Sequence, residues 1–294
     1  YDANADTTED TTVDTSLMSG LTTIGLTASN ATGDTSFTGV SSIVATEMRN
    51  GAGDLTITYL SDVVKGTADA ATLSVSNLSA GIYTANGIET ITIDSSLTKS
   101  VMEQVVSDKL TKLVVTGDKD LEISTAVNFV DGTNGDTTVD STVDASTFTG
   151  GLTVTAEAMD QSITTGSGDD TINMVATLDK YDTVSAGTGS DTLSVNPADF
   201  GTEFTNVSGI ETVSINATAD STAISFKADK LSAGVETIIL DAYDHADGGN
   251  EQEHTVTNQV SEKIVIRHST EDAADANDSD GNNYTITPKT DSDA

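Results

Sequence analysis

Short apolar segments rich in β-branched residues, some of them alternating with polar positions, recur along the whole chain. Examples are 55–60 (LTITYL), 91–93 (ITI), 113–115 (LVV), 152–154 (LTV) and 264–266 (IVI). Clusters of Gly, Asn, Asp and Ser bound these segments, so the pattern predicts short β-strands separated by turns. Helical spacing of apolar residues is scarce, and 100–110 (SVMEQVVSDKL) is the best candidate for one short helix or turn.

A G-[IV]-E-T motif opens three of the predicted strands. It occurs at 87–93 (GIETITI), 209–215 (GIETVSI) and 234–240 (GVETIIL). Glycine reaches turn conformations that other residues avoid, and the alternating apolar residues after it predict a strand with one buried face. Structural repetition explains the motif fully. Glu89, Glu211 and Glu236 are therefore assigned no chemistry, and we expect them on a solvated face or bonded to the neighbouring turn.

A second, tighter repeat combines glycines with an aspartate in nine-residue segments. Residues 165–173 read TGSGDDTIN and 186–194 read AGTGSDTLS, while 180–185 (KYDTVS) keeps only the end of the pattern. The glycines let the backbone turn tightly and direct carbonyls inward, and the aspartate adds a carboxylate. This density of oxygen ligands suits a hard cation, and Ca²⁺ is the best match.

These segments resemble the G-G-x-G-x-D-x-U-x nonapeptide of RTX proteins, whose repeats form a calcium-filled parallel β-roll. The candidate calcium ligands on the matching positions are Thr165, Gly166, Ser167, Gly168 and Asp170, then Ala186, Gly187, Thr188, Gly189 and Asp191, with Asp182 in the degenerate copy. Thr165 and Ala186 replace the first glycine, where a turn with positive φ would be strained. Lys180 and Tyr181 occupy loop positions of the degenerate copy, which disfavours a full ion site there.

The spacing of the two complete loops predicts how they stack. Two nonapeptides make one turn of a β-roll, so equivalent loops of an ideal array lie about 18 residues apart. Asp170 and Asp191 lie 21 residues apart, because the segment 174–182 between them is longer than the ideal loop. We therefore expect both glycine loops on one edge, one turn apart, with one Ca²⁺ site between them. The longer, degenerate loop would lie on the opposite edge.

The flanking segments extend the resemblance. Residues 143–156 (VDASTFTGGLTVTA) precede the loops, and 204–215 (FTNVSGIETVSI) follow them. This order is similar to that in RTX-type S-layer proteins of Gram-negative bacteria, of the Caulobacter lattice kind, over about 143–240. The resemblance implies a secreted structural protein at the cell surface that assembles with itself into a layer or filament, with cell-surface polysaccharide as a further candidate partner. A segment of a large RTX adhesin is the main alternative, and the non-catalytic roll of a secreted hydrolase is the third.

The charge balance narrows the possible partners. The chain has 47 Asp and Glu against 12 Lys and Arg, a formal net charge of −35. Nucleic acid and anionic membrane surfaces attract clustered Lys and Arg, so this balance disfavours both as partners. Self-repulsion destabilises a compact state, so bound divalent cations are the expected counterweight. No apolar stretch approaches the length of about 18 residues that predicts a membrane-spanning helix.

Composition also limits the core and the chemistry. Hydrophobic residues make up 36 % of the chain and aromatic residues 4 %, which favours a thin repeated core over a large round one. Intrinsic disorder is the alternative for such a composition, but the β-branched segments argue against it. The chain has three His and no Cys. It also lacks G-x-S-x-G and H-E-x-x-H motifs, so we expect no enzyme.

Together these patterns predict an all-β fold, an elongated parallel β-solenoid or β-roll with short strands and calcium-binding loops. Residues 1–142 would form an N-terminal β-rich, solenoid-like region, 143–267 the RTX-like solenoid, and 268–294 an acidic C-terminal segment. Three further acidic segments are weaker candidates for ion sites, the third of them for a transition metal, and a solvated acidic loop is the favoured interpretation of each. They are 275–283 (DANDSDGNN), 130–136 (VDGTNGD) and 241–254, which contains Asp244, His245, Asp247 and His254.

Overall fold

The computed structural model describes residues 10–29, 33–130, 139–174, 178–196, 204, 206–216, 225–228, 231–242, 253–260, 262–268 and 283–289. Within these residues the chain forms a parallel β-solenoid of about nine turns, and every strand pairing is parallel. No α-helix occurs in the same residues, and none of them forms a helix long and apolar enough to cross a membrane. The predicted all-β, parallel β-solenoid fold is confirmed.

The strands are short and numerous. In chain order they are β1 (Thr11–Asp14), β2 (Thr23–Thr27), β3 (Thr35–Val40), β4 (Ala45–Arg49), β5 (Leu55–Tyr59), β6 (Ala70–Ser76), β7 (Ile82–Ala85), β8 (Thr90–Ser95), β9 (Ser100–Met102), β10 (Gln104–Val106), β11 (Lys112–Gly117), β12 (Leu121–Ile123), β13 (Ser141–Asp144), β14 (Leu152–Thr155), β15 (Gln161–Thr164), β16 (Thr171–Met174), β17 (Thr183–Ser185), β18 (Thr192–Val195), β19 (Val207–Ser208), β20 (Thr212–Asn216), β21 (Ser225–Lys227), β22 (Thr237–Ala242), β23 (Glu253–Gln259), β24 (Lys263–His268) and β25 (Asn283–Pro288). The five β-branched segments quoted in the sequence analysis all fall within or across these strands, so their prediction as strands is confirmed.

Four sheets form the walls of the solenoid. Sheet A has the order β1-β3-β5-β7-β10, and sheet B the order β2-β4-β6-β8-β11-β13-β15-β17-β19. Sheet C has the order β9-β12-β14-β16-β18-β20-β22-β24, and sheet D the order β21-β23-β25. Consecutive strands alternate between sheets A and B over β1–β8, between B and C over β11–β20, and between C and D over β20–β25. Each of these turns therefore contributes one strand to each of two sheets. The boundary predicted at 142/143 falls inside β13, in the middle of sheet B.

Of the short helix or turn expected at 100–110, the helix is wrong, because residues 100–106 form β9 and β10. A turn follows at 108–109. The chain passes from sheet C to sheet A at Glu103, so Met102 and Val105 both face the core although they are three residues apart. Three residues is also the spacing of one helical face. Parallel pairing of β9 with β12 and of β10 with β7 replaces the intrahelical hydrogen bonds.

The core is a stack of apolar columns, one residue per turn. In sheet B the register joins Ala71, Ile91, Leu113, Val143, Ile163, Val184 and Val207 in one column. In sheet C it joins Val154, Ile172, Leu193, Val213, Ile238 and Ile264. Most of these side chains are fully buried. Each turn therefore buries its apolar face against the turns before and after it, which gives a thin continuous core.

The glycines of the G-[IV]-E-T motif turn the chain into its strands as expected. Gly87, Gly209 and Gly234 have φ of +88°, +69° and +108°, values that a side chain would oppose. The strands that follow are β8, β20 and β22. In all three turns, the motif therefore forms a tight glycine turn that leads into a strand.

Candidate metal site at the stacked glycine loops

The two glycine loops lie directly over one another. Thr171 pairs with Thr192 in sheet C, so the loop 165–170 before β16 and the loop 186–191 before β18 are one turn apart on the same edge. The Thr188 amide donates to the Gly166 carbonyl at 3.0 Å. The predicted stacking of these loops is confirmed.

Glycine is required by the close approach of the loops. A Cβ atom on Gly187 would lie 1.9 Å from the Gly166 carbonyl oxygen, and one on Gly166 would lie 1.8 Å from the carbonyl oxygen of Phe148. Gly187 also has a φ of +78°. At this edge the carbonyl groups of two successive turns therefore lie against the glycine of the turn that follows each, and a side chain at either position would separate the layers.

Asp170 and Asp191 each support the preceding turn with one carboxylate oxygen. Oδ1 of Asp170 accepts the Leu152 amide at 2.7 Å, and Oδ1 of Asp191 accepts the Asp170 amide at 2.8 Å. Both residues are buried, with 1 % and 0 % of their surface exposed. The second oxygen, Oδ2, of each carboxylate is buried and makes no hydrogen bond. An unpaired buried acceptor is costly unless a proton or a cation satisfies it.

Burial shifts the titration of both aspartates. It is the largest cause that raises the pKa of Asp170, and the hydrogen bond from the Leu152 amide opposes it in part. Burial also raises the pKa of Asp191 to about 6, opposed by the Asp170 amide and reinforced by the charge of Asp170. The folded chain therefore disfavours these charges when nothing positive accompanies them.

The replacement of the first glycine causes no backbone strain. Neither Thr165 nor Ala186 has a positive φ, so the strain expected at this position does not arise. Both residues are buried, and the Thr165 hydroxyl donates to the Ala186 carbonyl at 2.8 Å. Thr165 thus adds a bond between the loops that glycine could not make.

The other predicted ligands differ in position. Ser167, Thr188 and Gly189 are exposed, so at this edge the serine and threonine side chains face outward. Asp182 precedes β17 in sheet B, on the opposite edge, as the sequence predicted. Its Oδ1 accepts the Gln161 amide at 2.8 Å and its Oδ2 the Asp179 amide at 2.7 Å. The structure therefore does not bring Asp182 together with the two glycine loops.

The donor set at the loops fits a calcium ion held by few carboxylates. No group of three or more His, Cys, Asp or Glu side chains able to share an ion occurs among the residues that the structure describes. A cation here would draw on Asp170 Oδ2, Asp191 Oδ2 and loop carbonyls, a set of hard oxygen donors that Ca²⁺ accepts. The weaker candidates at 275–283, 130–136 and 241–254 lie largely outside the described residues.

Among the described residues, neither glycine loop forms an ion pair with a protein cation. The ion pairs found in the described part of the chain are Arg49–Glu47, Lys65–Asp62, Lys112–Asp144 and Lys119–Asp118, and none involves either loop. A polar groove of about 470 Å³ borders the first loop. Asp118, Asp120, Glu122 and Asp169 line it, with Lys99 as a positive group. The surroundings of the loops are therefore strongly acidic.

Two further carboxylates lie at this edge, and neither was among the predicted calcium ligands. Asp169 Oδ1 accepts the Ser190 amide at 2.9 Å, and Glu211 Oε2 accepts the Asp191 amide at 2.9 Å. Glu89 makes the same bond to the Asp69 amide at 2.8 Å. The expectation of a bond to the neighbouring turn or a solvated face is confirmed, because Glu89 and Glu211 make the bond and Glu236 is exposed. The G-[IV]-E-T motif was the available signal, but only the register shows which amide its glutamate reaches.

Comparison with known proteins gives no match to a family model, to a curated protein or to a solved structure. The resemblance to RTX-type S-layer proteins therefore rests on the motifs and their order.

Proposed function

We propose that this chain is a structural, calcium-stabilised extracellular protein that assembles with copies of itself into a surface layer or filament. The observation that carries the calcium part is the pair of stacked loops in which two buried aspartates each keep one oxygen without a hydrogen bond. The order of motifs along 143–240, which resembles RTX-type S-layer proteins, adds the extracellular location and the assembly.

Calcium would act on the fold through charge and rigidity. Asp170 and Asp191 would hold the ion with loop carbonyls, and its positive charge would offset two buried carboxylates. The apolar columns and backbone ladders already connect these turns to the rest of the solenoid. Ion binding at the loops would then be coupled to the stability of the neighbouring turns.

The acidic surface points to a second role for calcium, in assembly. With a net charge of −35, copies of the chain repel one another at low ionic strength. Divalent cations that screen or bridge surface carboxylates would remove this barrier to assembly. The proposal therefore links folding and assembly to the same cation.

Electron microscopy of the purified chain with and without calcium tests the assembly. We expect an ordered sheet or filament in millimolar CaCl₂ and dispersed particles after chelation with EDTA. Circular dichroism and light scattering on the same samples report folding and particle size separately. Single particles in both conditions would contradict the layer and favour the adhesin alternative. Unchanged circular dichroism and particle size after chelation would exclude the calcium dependence.

A further inference from the structure

Glu211 holds the backbone of Asp191 from the turn that follows the second glycine loop. Its Oε2 accepts the Asp191 amide at 2.9 Å. The amides of Glu211 and Thr212 donate to the Asp191 carbonyl at 3.2 and 3.0 Å. Both polar backbone groups of Asp191 are therefore fixed by the next turn, and the position of its carboxylate depends on that turn.

The glutamate also adds charge beside the loop. Asp170, Asp191 and Glu211 come from three successive turns of sheet C and lie in the residues just before β16, β18 and β20. Because Glu211 Oε2 is hydrogen-bonded to the Asp191 backbone, its negative charge lies beside the second glycine loop. A negative charge at this position attracts a cation bound next to it.

The same arrangement occurs elsewhere in the chain without a glycine loop. Glu89 Oε2 accepts the Asp69 amide at 2.8 Å, and the amides of Glu89 and Thr90 donate to the Asp69 carbonyl, each at 3.1 Å. In this copy the Asp69 carboxylate turns to its own loop and accepts the Gly66 amide at 3.1 Å. The two copies share their backbone bonds and differ in whether a buried carboxylate is left without a hydrogen bond.

We propose that Glu211 is a positioning residue of the calcium site, which then extends over three turns. It fixes the backbone of Asp191 and places a negative charge beside the Asp191 carboxylate. The glutamate of the G-[IV]-E-T motif has a purely structural role at Glu89 and an additional role in ion affinity at Glu211. This inference rests on the proposed function, because it concerns the same calcium site.

Calcium titration of matched variants tests the proposal. The full chain is stripped with EDTA and titrated with CaCl₂ in a calorimeter as wild type, Glu211→Ala, Glu211→Gln and Glu89→Ala. We expect Glu211→Ala to raise the dissociation constant by about tenfold or more, which is about 1.4 kcal/mol. Glu211→Gln keeps an acceptor for the Asp191 amide but loses the charge, so we expect a smaller rise of about threefold.

The Glu89→Ala variant separates positioning from general stability. It removes the same backbone bond, so thermal unfolding in EDTA should show a loss of stability similar to that of Glu211→Ala. Its dissociation constant should stay within about twofold of the wild-type value.

Equal effects of Glu89→Ala and Glu211→Ala on calcium affinity would overturn the proposal, as would an unchanged affinity in Glu211→Ala. If Glu211→Ala does not fold, an unchanged dissociation constant in Glu211→Gln overturns it. A wild-type chain that binds no calcium refutes the proposed function itself, and this result is distinct from all the others.

Discussion

The Asp191→Asn substitution should have opposite effects on stability with and without calcium. Asparagine keeps an oxygen that can accept the Asp170 amide, so the bond between the loops survives. What it removes is the buried charge, whose cost is expressed in a pKa raised to about 6. Without a cation the substitution relieves this cost, so the variant should be more stable than wild type in EDTA at pH 7.5.

The size of the effect follows from the pKa and from ion linkage. Relief of the charge should contribute about 1–2 kcal/mol, allowing for screening at the edge of the solenoid. With calcium, the wild type gains about 2.7 kcal/mol when the ion is at 100 times its dissociation constant. The variant loses most of this gain. It should therefore be less stable than wild type in calcium by about 1 kcal/mol, although it is more stable in EDTA.

Thermal unfolding followed by circular dichroism measures both differences on the same samples. Asp62→Asn is the control, because the Asp62 side chain is 90 % exposed and pairs only on the surface with Lys65. The control should change stability by less than about 0.5 kcal/mol in either buffer. An Asp191→Asn variant that is destabilised equally in EDTA and calcium would refute the reasoning, since the oxygen would then have no ionic role.

Three further predictions follow from the same geometry. Gly187→Ala should destabilise the chain much more than Gly20→Ala in chemical unfolding. Both glycines have positive φ, but only the Gly187 Cβ would meet a carbonyl oxygen, at 1.9 Å. Equal losses of about 1 kcal/mol in both variants would mean that only the backbone conformation matters. In EDTA, the free energy of unfolding should rise as the pH falls from about 7 to 5. Burial raises the pKa of Asp182 to about 6, so the folded state favours the neutral carboxyl. Asp182→Asn should flatten this rise, and an unchanged pH profile in the variant would contradict the assignment. In EDTA, 0.5 M NaCl should raise the melting temperature relative to about 0.01 M by screening the net charge of −35, and a fall would show that self-repulsion is not what limits the calcium-free state.

Sequence periodicity was enough to predict the strands and the stacking of the two glycine loops. Alternation and β-branched residues marked segments such as β5 and β24, and the 21-residue spacing placed Asp170 and Asp191 on one edge. These features are local or depend on one repeat length. The prediction of a short helix within 100–110 was wrong because the chain changes sheets at Glu103. The resulting spacing of buried residues equals that of one face of a helix.

The details of the site needed the three-dimensional register. The pairing of β16 with β18 shows that one carboxylate oxygen of Asp191 accepts a hydrogen bond and the other accepts none. The pairing of β18 with β20 shows that Glu211 reaches the Asp191 amide. A difference of one residue in either register would move these groups to other partners. The sequence therefore predicted the residues of the loops but not their bonds.

Anomalous X-ray scattering from crystals grown in calcium tests the central claim most directly. The account predicts a calcium peak between the loops 165–170 and 186–191, with oxygen ligands at about 2.3–2.6 Å that include Oδ2 of Asp170 or Asp191. Crystals in millimolar calcium with no peak at these loops, or with peaks only elsewhere on the acidic surface, would contradict it.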